Sequence, residues 1–145
     1  TVQPGNSQRK VMFGIRVFSL VLVLATAFMF PVHAEQKITV GEKAQLQASM
    51  QIFIDRRLVK GAYLSLNRSS GEVRELHPIA AHPMILKMGK YFVLCSDFQD
   101  GKGQSVNIDF YLALRGKRYV VFDALVDERK GLQRLMKAGK VSRVN

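Results

Sequence analysis

Asp109 and Tyr111 stand two residues apart in the run Val106-Asn107-Ile108-Asp109-Phe110-Tyr111-Leu112. Alternation at period two puts both on one face of a strand, opposite the row Ile108, Phe110 and Leu112. A carboxylate beside a phenol can serve as general base and oxyanion donor, provided that burial desolvates the acid. Asp97 and Asp123 fall on the strands expected to flank this one and extend the set. The catalytic candidates are therefore Asp109, Tyr111 and Asp97. A simpler reading competes with this one. A strand that packs its Phe110 row inward shows Asp109 and Tyr111 to water, and only a one-residue slip of register would turn them in. The expectation is that no acid here is catalytic.

Other chemistry is sparse. His77 and His82 each precede a proline and stand five residues apart. That spacing matches no zinc pattern and offers no third ligand, so no metal is expected. Cys95 is the single cysteine, which excludes an intrachain disulfide and any zinc site built on cysteine pairs. It ends the apolar run Tyr91-Phe92-Val93-Leu94 with no His or Lys beside it, as a buried small hydrophobe does. No Gly-rich phosphate loop, His-Glu-x-x-His or Gly-x-Ser-x-Gly is present, and no cofactor is expected.

Charge is the remaining handle. The 145 residues carry 22 Lys+Arg against 11 Asp+Glu, a formal charge of +11. Arg56-Arg57, Lys60, Arg115, Lys117-Arg118 and the run from Arg129 to Arg143 supply most of it. Lys130, Arg134 and Lys137, at steps of four and three, share one face of a helix. They are the candidate contact for an anionic membrane surface or an acidic partner, although a merely solvated face is the plainer reading. Nucleic acid is disfavoured, because no aromatic residue interleaves with these charges as single-strand binding requires. A 48% apolar fraction and 23% charged residues exclude a disordered tail, and the length suits one domain.

Residues 9 to 34 read as a secretory signal. Arg9, Lys10 and Arg16 precede an uncharged apolar run from Val17 to Phe30, then Pro31 and Val32-His33-Ala34. The expected division is a signal peptide with an upstream extension over residues 1–34 and one domain over 35–145, exported to the periplasm or secreted. An uncleaved membrane anchor is the alternative, but the apolar run falls short of the roughly 20 residues a spanning helix needs.

In the remaining chain, Thr39-Val40-Gly41-Glu42 has the spacing of a capping box. Leu46, Met50, Phe53, Ile54 and Leu58 follow at steps of three and four, and Gly61 suits a left-handed stop. The pattern predicts a helix over 41–59. Strands are predicted over 62–66 and 72–76, joined by a polar turn, then over 91–98, 105–115 and 118–126. Residues 77–90, bent at His77-Pro78 and His82-Pro83, read as a connection that crosses an end of the sheet. A short helix after Asp127 carries Leu132, Leu135 and Met136 on one side, ends at Gly139, and leaves a frayed basic tail. Leu46, Met50, Phe53, Leu94, Ile108, Phe110, Leu112 and Val121 are the expected core.

This order, one long helix and then an antiparallel meander over most of residues 39–126, resembles the α+β roll of cystatin-like and nuclear-transport-factor-2-like proteins. It is also similar to small exported bacterial proteins with no assigned function. The resemblance implies a sheet of about five strands curved around the N-terminal helix, with the short C-terminal helix as a departure. Steroid-isomerase-like members of that fold place an Asp base and a Tyr donor in a pocket inside the roll. The alternative function is thus an isomerase- or lyase-like enzyme using Asp109, Tyr111 and Asp97. The leading expectation is an exported binding protein without catalytic activity, acting through a protein partner or a small apolar ligand.

Overall fold

The computed structural model of the protein describes residues 37–144. The signal-peptide reading of residues 1–34 lies outside the described residues. Among the described residues, no helix is long and apolar enough to cross a membrane.

Helix α1 spans Val40–Arg57 and starts as its sequence requires: the Thr39 hydroxyl accepts from the Glu42 backbone N–H at 3.0 Å. The Glu42 carboxylate does not close the box; it accepts a hydrogen bond from Tyr119 instead. Leu46, Met50 and Ile54, one turn apart, are buried. The helix stops at Arg57, two residues before the expected end, because Leu58 is already extended and opens strand β1, Leu58–Val59. Lys60 and Gly61, with φ of 51° and 82°, then form a two-residue hairpin turn into β2, Ala62–Leu66. Two positive φ values in succession are what a tight hairpin needs. Gly61 therefore serves the sheet rather than the helix end.

The rest is an antiparallel meander: β3 Val73–Met88, β4 Tyr91–Asp100, β5 Ser105–Arg115 and β6 Arg118–Val126. Helix α2, Arg129–Lys137, and strand β7, Ser142–Val144, follow. The sheet runs β1-β2-β3-β4-β5-β6, with β7 added to β3. It has seven strands rather than about five. Two expectations fail for one reason. Residues 77–90 are not a crossing connection: 77–88 are the greater part of β3, which pairs with β4 through register shifts at Pro78/Ala80 and Ala81/Ile85, and Gly89-Lys90 is the turn between them. Prolines lack the ladder N–H, so the chain bulges around Pro78 and Pro83 and then resumes. The resumed half offers a free side at Ile85–Lys87, and the tail takes it as β7, with Val141 and Val144 buried.

The sheet is covered on both faces. On one, α1 packs over Leu76, Phe92, Leu94, Phe98, Ile108, Phe110 and Leu112. Phe53 meets the Phe110 ring edge-on at 5.9 Å. Of the expected core, Leu46, Met50, Leu94, Ile108, Phe110 and Leu112 are buried, and Phe53 and Val121 are partly buried against them. On the other face, Leu132 of α2 and Val141 close over Leu86, Val93, Cys95 and Tyr111. This second layer overturns the expectation that Asp109 and Tyr111 are solvated: Asp109 is 1% exposed and Tyr111 is 8% exposed. The Phe110 row does face α1, so the register is as expected. What the alternation could not tell is that its polar side would be roofed.

Candidate functional site

A groove of about 830 Å³ lies between α1 and the β5–β6 hairpin. Gln45, Ala48, Ser49, Ile52, Phe53, Arg56 and Arg57 form the helix wall. Arg115, Lys117 and Arg118 stand at the hairpin end, and Tyr119, Val120 and Val121 form the strand wall. The local sequence dictates this placement. The apolar stripe of α1 must face the sheet, which leaves Ile52 and Arg56 on its flank beside β6. Gly116, with φ of 64°, turns the hairpin so that Arg115 and Arg118 pair directly across it.

The charged lining has one sign. Arg56, Arg57, Arg115, Lys117 and Arg118 are all exposed, and no Asp or Glu lines the groove. Among the described residues none of the five forms an ion pair with a carboxylate. Facing charges of one sign beside a low-dielectric wall concentrate potential and attract counter-ions. Apolar surface lies beside them. Ile52 is half exposed, and the Arg57 guanidinium sits over the Phe53 ring at 4.4 Å from its centre. At the strand wall the Tyr119 hydroxyl donates to Glu42 Oε1 at 2.6 Å. Burial and then the adjacent carboxylate push the Tyr119 phenol up to about 12. The groove can therefore hold an anionic group against an apolar surface.

The residues singled out for catalysis lie on the opposite face. Asp109 is directly across the strand pair from Cys95, and Arg129 of α2 reaches over both. Arg129 Nη1 is 3.9 Å from Asp109 Oδ1 and 3.6 Å from Cys95 Sγ. Neither oxygen of Asp109 has a hydrogen-bond partner, and Asn107 Oδ1 is likewise buried without one. Burial, followed by the Asp109 carboxylate, pushes the Cys95 thiol up to about 12. Tyr111 is raised mainly by burial and then by Asp109. Asp97 sits farther along the same face, half exposed, with His82 Nε2 2.7 Å from Oδ2 and Asn107 Nδ2 donating to Oδ1 at 3.0 Å. The His82 bond and then the Asn107 bond hold the Asp97 carboxyl below the usual range. Asp123 is exposed and accepts from the Ala124 backbone N–H.

Asp109 and Tyr111 are thus neighbours, but Asp97 is drawn away into a separate pair with His82. A smaller cavity of about 280 Å³ under α2 is lined by Tyr111, Leu125 and Leu135 but not by Asp109. Lys130, Arg134 and Lys137 are exposed on α2, of which only Arg134 lines this smaller cavity. His77 is exposed. Among the described residues no group of three or more His, Cys, Asp or Glu side chains could hold a metal ion.

In the sequence the five groove cations register only as part of the net charge, and the candidate anionic contact falls on Lys130, Arg134 and Lys137 instead. Arg56-Arg57 and Arg115-to-Arg118 are far apart in the chain, so only the crossing of α1 over β6 joins them. The available signal was that both clusters end the two elements that enclose the core. Comparison of the chain with protein-family models, with curated proteins and with solved structures finds no match.

Proposed function

We propose that the protein is an exported binding protein without a catalytic role, which holds an anionic ligand with an apolar body between α1 and β6. One observation carries this reading: five cations and no acid line a groove that also presents Ile52, Phe53 and Val121. The order of residues 9 to 34 supports export. The long helix on one face of an antiparallel meander supports kinship with the cystatin-like and nuclear-transport-factor-2-like rolls, and the roofing of the other face by α2 departs from it.

The enzymatic alternative draws on Asp109, a buried carboxylate with both oxygens unpartnered beside Tyr111. A general base must reach a substrate. Arg129 and α2 cover this carboxylate, and it lines neither the basic groove nor the cavity under α2.

The test is titration with anilinonaphthalenesulfonate, an anionic amphiphilic fluorophore, against the uncharged phenylnaphthylamine. Saturable binding of the anion alone, weakened by salt and by Arg57→Glu with Arg118→Glu, is the expected result. Equal binding of both dyes, or no effect of the two charge reversals, would remove the groove as the site.

A further inference from the structure

Strand β6 pairs with β5 and with no other described strand. Its outer side therefore carries main-chain N–H and C=O groups that can accept another strand. A register shift between the partners of Tyr111 and Leu112 leaves Phe122 as an extra residue in β6. Such a bulge bends a strand and interrupts its edge. On the hairpin side of the bulge the regular edge runs over Arg118–Val121, and all four of these residues line the groove under α1. A segment laid along them would have a strand on one side and a helix on the other. Main-chain bonds would then supply affinity, and the groove would read alternate side chains.

The charge of the lining selects the partner. Arg56, Arg57, Arg115, Lys117 and Arg118 repel a second copy of this chain, which would bring the same basic edge. A nucleic acid strand needs free aromatic faces on which bases stack. Here Phe53 is already covered by Arg57, and the Tyr119 ring is packed edge-on against Phe92 at 5.4 Å. A lipid-like anion would use the charges and leave the strand edge unpaired. We propose that the groove takes an extended acidic segment of a partner protein, added as a strand to Arg118–Val121 with its apolar side chains against Ile52 and Val121. This rests on the reading of the groove as an anion-binding site.

The probe is a fluorescein-labelled peptide of alternating Glu and Val, about six residues long at roughly 3.3 Å per residue so that it overlaps the regular edge. Fluorescence polarisation with the purified protein should rise saturably, fall with added salt, and fail with the Lys–Val counterpart. Two further peptides carry N-methyl groups on alternate residues, one set each. Because alternate N–H groups of a strand face its partner, one set should bind about tenfold or more weakly and the other like the parent. Arg57→Glu and Arg118→Glu, both at exposed positions, should each weaken binding about fivefold, with unchanged unfolding midpoints as the control for folding. If both methylated peptides bind like the parent, strand addition is overturned. Tighter binding of an oligothymidylate than of the peptide overturns the choice of partner. Binding of anilinonaphthalenesulfonate but not of the peptide overturns this inference and leaves the groove reading standing; binding of neither removes both.

Discussion

The Tyr119 hydroxyl donates to Glu42 Oε1 at 2.6 Å, across 77 residues of sequence, and so fastens the first turn of α1 to β6. The residue spacing at Thr39 and Glu42 suggests that Glu42 caps its own helix. Instead it accepts from the strand, and the helix keeps only the Thr39 half of the cap. The wall of the basic groove is thereby held at one end.

Tyr119→Phe should lower stability by about 1 kcal/mol, the net worth of such a bond, in urea unfolding at neutral pH. The pH dependence has a definite sign. The folded phenol titrates at about 12, above its ordinary value of about 10. Its contribution is complete below about pH 10 and is lost as the pH rises toward 12. Absorbance titration of tyrosinate should show a late step that Tyr119→Phe removes; a phenol titrating at its ordinary value would contradict the contact.

Phe110 touches Phe53, Tyr63 and Phe98 and is fully buried under α1. Phe110→Ala should cost about 3–5 kcal/mol. An unchanged denaturant midpoint would mean that β5 presents its other face to the helix.

Cys95 should be inert in the folded protein. Burial and Asp109 keep its proton on at ordinary pH, and the thiolate is the reactive form. Ellman's reagent near neutral pH should label the native chain at least about a hundredfold more slowly than the unfolded chain, since labelling must await opening. Asp109→Asn removes the second cause of the shift, so the pH profile of labelling should move downward. A native rate equal to the unfolded one would place the thiol at the surface.

The exported form should begin at Glu35, after the small residues Val32 and Ala34. N-terminal sequencing of the exported protein gives the answer, and retention of Val17 would mean that the apolar run serves as an anchor.

How far these features could be read from sequence depended on their range. Local periodicity located α1, β4, β5 and β6 to within a few residues, because Leu46-Met50-Ile54 and Ile108-Phe110-Leu112 repeat with the helical and strand periods. It failed at His77–Met88, where Pro78 and Pro83 signal a broken strand. The pairing with β4 outweighs two missing donors, and bulges absorb them. It failed again at Asp109. A polar residue on an alternating strand reads as solvated unless something covers it. The cover, α2 with Val141, is reached only through the tertiary fold. The basic groove was illegible for a related reason: its charges belong to Arg56-Arg57 and Arg115–Arg118, and no local pattern couples them.

The last described strand has a consequence for the order of events in the cell. Val144 sits in the core under α1, Val141 in the core under α2, and β7 supplies the partner for Ile85–Lys87. Until residue 144 has left the ribosome, both hydrophobic layers lack a member and the second half of β3 has β4 as its one neighbour. Contacts of this sequence separation form late, so closure of both layers waits for the β7 segment.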